Sequence, residues 1–160
     1  MTEAEQSFLL QRIQPAMVGL IDGSLSTLAP IFGIALATHR PQYAFVAGLV
    51  TAIGAGVSMG FSEGLSDTGE LTGRGNPLVR GSITGLGTFV GGILHTLPFL
   101  IPHYRVAILL AIAVVSCELV VLAWLRWRYF ADRFVRALAI VTGAGVIIAA
   151  VSAGLGSGIA

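Results

Sequence analysis

"RVAILLAIAVVSCELVVLAWL", residues 105–125, is apolar after Arg105 except for Ser116 and Glu118. A bilayer core about 30 Å thick needs about 20 mostly apolar helical residues to cross it, so this run predicts a transmembrane helix. Four further segments pass the same test, at 16–38, 43–66, 78–101 and 134–156. The stretches between them read as turns: "THRPQ", "SDTGELTGRGNP", "IPHY" and "RWRYFADR". Pro41, Pro77 and Pro102 stand where helices are expected to start or stop. Residues 1–14 are expected to form a cytoplasmic segment or surface helix with Phe8, Leu9 and Ile13 on one side, ahead of one transmembrane domain over 15–160.

Composition agrees. Of 160 residues, 55% are hydrophobic and 11% charged, where a soluble domain carries about 25% charged residues. Mean hydropathy is +0.87. The expectation is an all-α integral membrane protein, a five-transmembrane-helix bundle. Net charge is +1 with no basic tract, which argues against a nucleic-acid partner, and all nine cations are arginine. Without lysine there is no P-loop or Schiff-base chemistry, and the single cysteine, Cys117, has no intrachain disulfide partner. The N-terminus lacks a basic region followed by an apolar core, so no cleavable signal is expected.

Arginine placement predicts orientation. Arg12, Arg74, Arg80, Arg126, Arg128, Arg133 and Arg136 fall on the N-terminal side, against Arg40 and Arg105 on the other. The positive-inside rule then puts the N-terminus in the cytoplasm and the C-terminus outside, and makes any homodimer parallel. Glycine pairs four apart, Gly56–Gly60, Gly81–Gly85 and Gly87–Gly91, predict close helix packing within a bundle or a dimer.

Against this background the ionisable residues inside the spans stand out, because each costs at least about 2.5–3.5 kcal/mol at a helix centre. They are Asp22 in "GLIDGSLSTLAP", Glu63 in "VSMGFSEGLSD", Glu118 and His95. At 1.5 Å per residue, the expected span ends put Asp22 about 9 Å, Glu63 about 5 Å, Met59 about 10 Å and Glu118 about 10 Å from the cytoplasmic boundary. The same arithmetic puts His95 in the outer half. Met59, Glu63, Asp67 and Glu70 are spaced to share one helical face, where like charges repel unless a cation or proton sits between them. Carboxylate oxygens with one thioether suit Fe²⁺ or Mn²⁺ better than Ca²⁺ or Mg²⁺. The candidate metal ligands are therefore Asp22, Met59, Glu63, Asp67, Glu70 and Glu118, and the proton-coupling candidates Asp22, Glu63 and His95. Each has a plainer alternative. Asp22 or Glu63 could pair with Arg74 or Arg80, Glu118 could pair with Arg126 or hydrogen-bond within the bundle, and Asp67 and Glu70 could be solvated loop residues. His95 is either a packing hydrogen-bonder or a relay, and Pro30 deprives the Ser26 carbonyl of its helical partner.

"DGSLS" in the first span and "SMGFSEGLS" in the second resemble the vacuolar iron transporter family, which carries Asn-Asp-Gly and Ser-Met-x-x-Gly-Glu-Tyr-x-Ser there. The likeness extends along the five-span layout and is strongest to the membrane domain of bacterial membrane-bound ferritins. Three positions depart from the pattern: Ile21 replaces the Asn, Ser62 the motif Gly, and Gly64 the aromatic. The helical metal-binding insert that eukaryotic members carry between helices 2 and 3 has no counterpart here. The resemblance implies a parallel homodimer in the bacterial inner membrane that exports Fe²⁺ or Mn²⁺ from the cytosol in exchange for H⁺. It implies a path lined by Asp22, Met59 and Glu63, with the metal as substrate and no prosthetic group. The alternative is a non-transporting membrane anchor or regulatory partner of a ferritin-like protein. An enzyme is not expected, since neither GxSG nor HExxH occurs.

Overall fold

The computed structural model describes residues 2–130 and 133–157. The long helices are α1 (Glu3–Thr38), α2 (Pro41–Ser66), α3 (Pro77–Leu94), α4 (Tyr104–Phe130) and α5 (Phe134–Ser157). No strand occurs among the described residues. Four of these helices are long and apolar enough to cross a membrane: α1, α2, α4, and α5 over Phe134–Ser152. The chain is thus all-α, with the character of a multi-pass membrane protein.

Helix ends depart from the sequence expectation at three places. The segment expected as a separate surface helix over 1–14 runs without a break into the first span. A capping box starts α1, with Thr2 N–H donating to Glu5 Oε2 at 2.7 Å and Glu5 N–H to Thr2 Oγ1 at 3.3 Å. The helix widens by one residue per turn over Leu9–Ile13 and continues. At the far end α4 runs on to Phe130 rather than stopping near 125, because Arg126, Trp127, Arg128 and Tyr129 have amphipathic side chains suited to a membrane boundary and none of them breaks a helix. Conversely α3 is only 18 residues long and gives way after His95 to a single 3-10 turn, Leu97–Leu100. Pro98 contributes, since it has no N–H to bond the carbonyl of Leu94, the last residue of α3. With five glycines and with Arg80, Ser82, Thr84 and Thr88, α3 is also less apolar than the other spans.

Glycines set the packing of the first three helices. α3 lies between α1 and α2, and each contact line is backbone against backbone. Gly19 and Gly23 of α1 face the carbonyls of Thr84 and Thr88, while Gly87 and Gly91 face the carbonyls of Ala16 and Leu20. On the other side, Gly56 and Gly60 of α2 meet Gly85 and Gly81. All three glycine pairs therefore pack helices of the same chain together. The helices α4 and α5 cover α1. One apolar cluster joins Ile31, Ala35, Ala44, Phe99, Ala107 and Ala111; a second joins Met17, Leu119, Leu122 and Val141. Large apolar side chains such as Val50, Leu109 and Ile147 point outward, as lipid contact requires.

Within α1 the helix is interrupted at Thr27, between Gln14–Ser26 and Leu28–Thr38. Pro30 explains the place. It has no N–H for the carbonyl of Ser26 and crowds that carbonyl, so the turn ending at Thr27 loosens.

Candidate functional site

Two polar clusters and one isolated carboxylate lie among the helices. The first cluster closes the end of α2. Glu63 lies in its last turn, and Asp67, just past Ser66, is already extended at φ −161° and ψ 162°. The four-residue stripe expected from Met59 to Glu70 therefore ends with the helix at Ser66. Met59 and Glu63 stay on it, half-buried, while Asp67 and Glu70 belong to the following loop and Glu70 is exposed. Asp67 folds that loop, accepting from Gly69 N–H at 2.6 Å and from the Thr72 hydroxyl at 3.0 Å.

Two arginines then join Glu63 to Asp67. Arg80, in the first turns of α3 and only 1% exposed, donates from Nε to Glu63 Oε1 at 2.8 Å. Its Nη1 and Nη2 reach Asp67 Oδ1 and Oδ2, each at 3.3 Å. Arg74 donates to the same Glu63 Oε1 at 2.5 Å and to Asp67 Oδ2 at 3.2 Å. Pairing of Glu63 with Arg74 or Arg80, one of the sequence alternatives, is thus present with both. Partial desolvation pushes the Asp67 carboxyl up, but the hydrogen bonds from Thr72 and Gly69 and the guanidiniums of Arg80 and Arg74 outweigh it and hold it below the ordinary carboxylate value.

The second cluster lies deeper. His95, fully buried at the end of α3, bridges α1 and α4. Its Nε2 is 2.6 Å from Thr27 Oγ1, and its Nδ1 is 2.9 Å from Glu118 Oε2. The span arithmetic separated His95 from Glu118, and the structure brings them together. With α4 extended to Phe130, Glu118 lies about 18 Å from that end at 1.5 Å per residue, near the middle of the helix. Glu118 thus pairs with His95 and not in a carboxylate layer with Asp22 and Glu63.

The Thr27 hydroxyl also reaches the Gly23 carbonyl, at 2.8 Å: donating there, its oxygen can accept from Nε2–H, and turned toward the ring it can donate to a bare Nε2. The other Glu118 oxygen, Oε1, is buried with no hydrogen-bond partner. Glu118 also borders an apolar groove of about 420 Å³ shared with Leu20, Ser24, Gly91 and Cys117.

Asp22 stands apart. It is half-buried on α1 beside the Gly19–Gly23 contact line, and no described residue makes a hydrogen bond or ion pair with its carboxylate. One turn on, on the same face, the buried Ser26 hydroxyl oxygen also has no partner. No three histidine, cysteine, aspartate or glutamate side chains among the described residues are grouped to hold a metal ion.

Sequence reasoning missed two of these participants. Thr27 carried no signal beyond its nearness to Pro30, and the Ser26 hydroxyl none beyond its spacing from Asp22. Arg80 was read both for orientation and as a possible partner of Asp22 or Glu63, and it pairs with Glu63. No protein-family model, curated protein or solved structure matches the chain.

Proposed function

We propose that this protein exports a divalent transition metal, Fe²⁺ or Mn²⁺, from the cytosol in exchange for protons, as the resemblance of its first two spans implies. One observation carries the reading. Asp22 and Ser26 place a carboxylate and a hydroxyl, without partners among the described residues, on one face of a membrane helix. An unpaired carboxylate there is costly, and a transient cation would offset that cost. Glu63 and Met59, on α2, supply the remaining oxygen and sulfur donors, with α3 as the fifth span. His95 and Glu118 carry the counter-transported proton, with the Thr27 hydroxyl following its arrival and departure.

On this reading the chain sits in a bacterial inner membrane with its N-terminus in the cytoplasm, where Arg12, Arg126, Arg128, Arg133 and Arg136 gather. Two copies complete the ligand set, as the parallel homodimer implied by the resemblance allows; among the described residues of one copy no three His, Cys, Asp or Glu side chains are grouped. The second reading, a non-transporting membrane partner of a ferritin-like protein, is favoured by the neutral pairing of Glu63 and Asp67 with Arg74 and Arg80. Mn²⁺ uptake into liposomes holding the purified protein separates the two. Exchange predicts uptake that accelerates with an opposing proton gradient; an anchor predicts none above empty liposomes.

A further inference from the structure

At one edge of the bundle α1 and α4 stand apart. With 36 residues, α1 is about 54 Å long at 1.5 Å per residue, against a bilayer core of about 30 Å, so it reaches past the hydrocarbon. Its first turns do not close against the end of α4. A groove of about 320 Å³ lies between them, lined by Glu5, Phe8, Leu9 and Ile13 from α1 and by Arg128 and Tyr129 from α4. Small-ligand sites occupy about 300–1,000 Å³, so the groove is of that class. Its apolar wall is open, with Phe8 57% exposed. Trp127 and Tyr129, both exposed near the end of α4, mark this level as the headgroup region.

The groove also holds a cation that the fold leaves unused. The Arg128 guanidinium lies over the Tyr129 ring, 5.5 Å from its centroid, and makes no hydrogen bond or ion pair with any described residue. Arg12, next to Ile13, and Arg136, in the first turn of α5, are exposed and likewise make none. Arg74 and Arg80 differ, being neutralised by Glu63 and Asp67. The sequence over 126–136 contains four arginines and one acidic residue, Asp132. Glu5, the acidic side chain on the groove, is turned back to its own helix end, where Oε2 accepts from Thr2 N–H at 2.7 Å.

We propose that this groove binds an anionic phospholipid of the surrounding leaflet, with its phosphate on Arg128 and the first carbons of its chains against Phe8, Leu9 and Ile13. Each part of such a lipid has a counterpart there. A guanidinium is a planar fork of donors that matches two phosphate oxygens. The excess of arginine over 126–136 favours a headgroup with net negative charge over a zwitterionic one. The apolar wall favours a lipid over inorganic phosphate, which has no hydrocarbon to bury against it. A lipid in this place fills the gap between α1 and α4 and fastens the first turns of α1, adding to the tie that Gln11 makes at the Gly73 carbonyl. Its binding does not depend on metal transport.

The chain carries its own reporters, because its two tryptophans, Trp124 and Trp127, both lie on α4 close to Arg128. The full-length protein in phosphatidylcholine vesicles is titrated with phosphatidylglycerol bearing brominated chains, and tryptophan quenching is compared with that by brominated phosphatidylcholine. Wild type should select phosphatidylglycerol at least about fivefold, the gain expected from one basic residue at an anionic surface. Arg128→Gln should bring that ratio to within about twofold of unity. Arg136→Gln removes a charge that does not line the groove and should keep most of the selection. Millimolar inorganic phosphate should not displace the lipid. Absence of selection in wild type overturns the site without recourse to any variant, and leaves the arginines to a soluble acidic partner. Equal losses in Arg128→Gln and Arg136→Gln also overturn it, since the attraction is then diffuse surface charge. Displacement by inorganic phosphate makes the free anion the occupant and overturns the lipid. No arm involves Mn²⁺, so each result is independent of the transport reading.

Discussion

Arg80 is held by seven oxygens from Glu63, Ser66, Asp67 and Gly75. Its replacement by Gln would leave a partly buried carboxylate and the last carbonyls of α2 without their donor. Removing one partner of a buried charge pair costs about 3–5 kcal/mol, so Arg80→Gln should lower the thermal midpoint in detergent sharply. A midpoint within a degree or two of wild type would mean that water replaces Arg80 there. Asp67 adds a pH dependence of known sign. Its folded value lies below the unfolded one of about 3.9. Its contribution is therefore complete above that unfolded value and is lost as pH falls through the lower, folded value. The thermal midpoint should fall on acidification below about pH 4, and Asp67→Asn should flatten that part of the curve. An identical acid limb in Asp67→Asn would assign the loss to another carboxylate.

Among the elements, α3 depends most on residues with no side chain to spare. A Cβ at Gly23 would collide with the Thr88 carbonyl, whereas one at Gly54 meets nothing within 4 Å. Gly23→Ala should thus cost about 1–3 kcal/mol through forced separation of α1 and α3. Gly54→Ala should be neutral or gain about 0.5–1 kcal/mol from reduced chain entropy. Equal melting of the two variants would show that α1 and α3 do not pack as described. The glycine spacing announced close packing but not which helices would pack, because a small face fits a neighbour in the same chain or another chain equally well. Helix ends were the least legible feature. Hydropathy falls at Arg126 although the helix continues to Phe130, and that error of five residues is about 7.5 Å of depth at 1.5 Å per residue. It was enough to hide the pairing of His95 with Glu118. The pairing of Glu63 with Arg74 and Arg80 could be read as an option from sequence, since both arginines follow closely on the second span, but azimuth decided it.

The whole molecule is a bundle with an apolar exterior, a glycine-packed centre and three separate polar features. Arg80 and Arg74 close one end, the Thr27–His95–Glu118 chain crosses from α1 to α4, and Asp22 with Ser26 has no partner among the described residues. If transport uses them in concert, Asp22 is the residue whose charge has no structural duty to confound the result. The most direct measurement is therefore Mn²⁺ flux into proteoliposomes, with and without a pH gradient, for wild type and Asp22→Asn at matched protein density. The account predicts proton-driven flux in wild type. In Asp22→Asn it predicts flux at least about tenfold slower and insensitive to the gradient, with a thermal midpoint close to wild type. Normal flux with an unchanged response to pH in Asp22→Asn would contradict it, and would make Asp22 a polar residue without a part in transport.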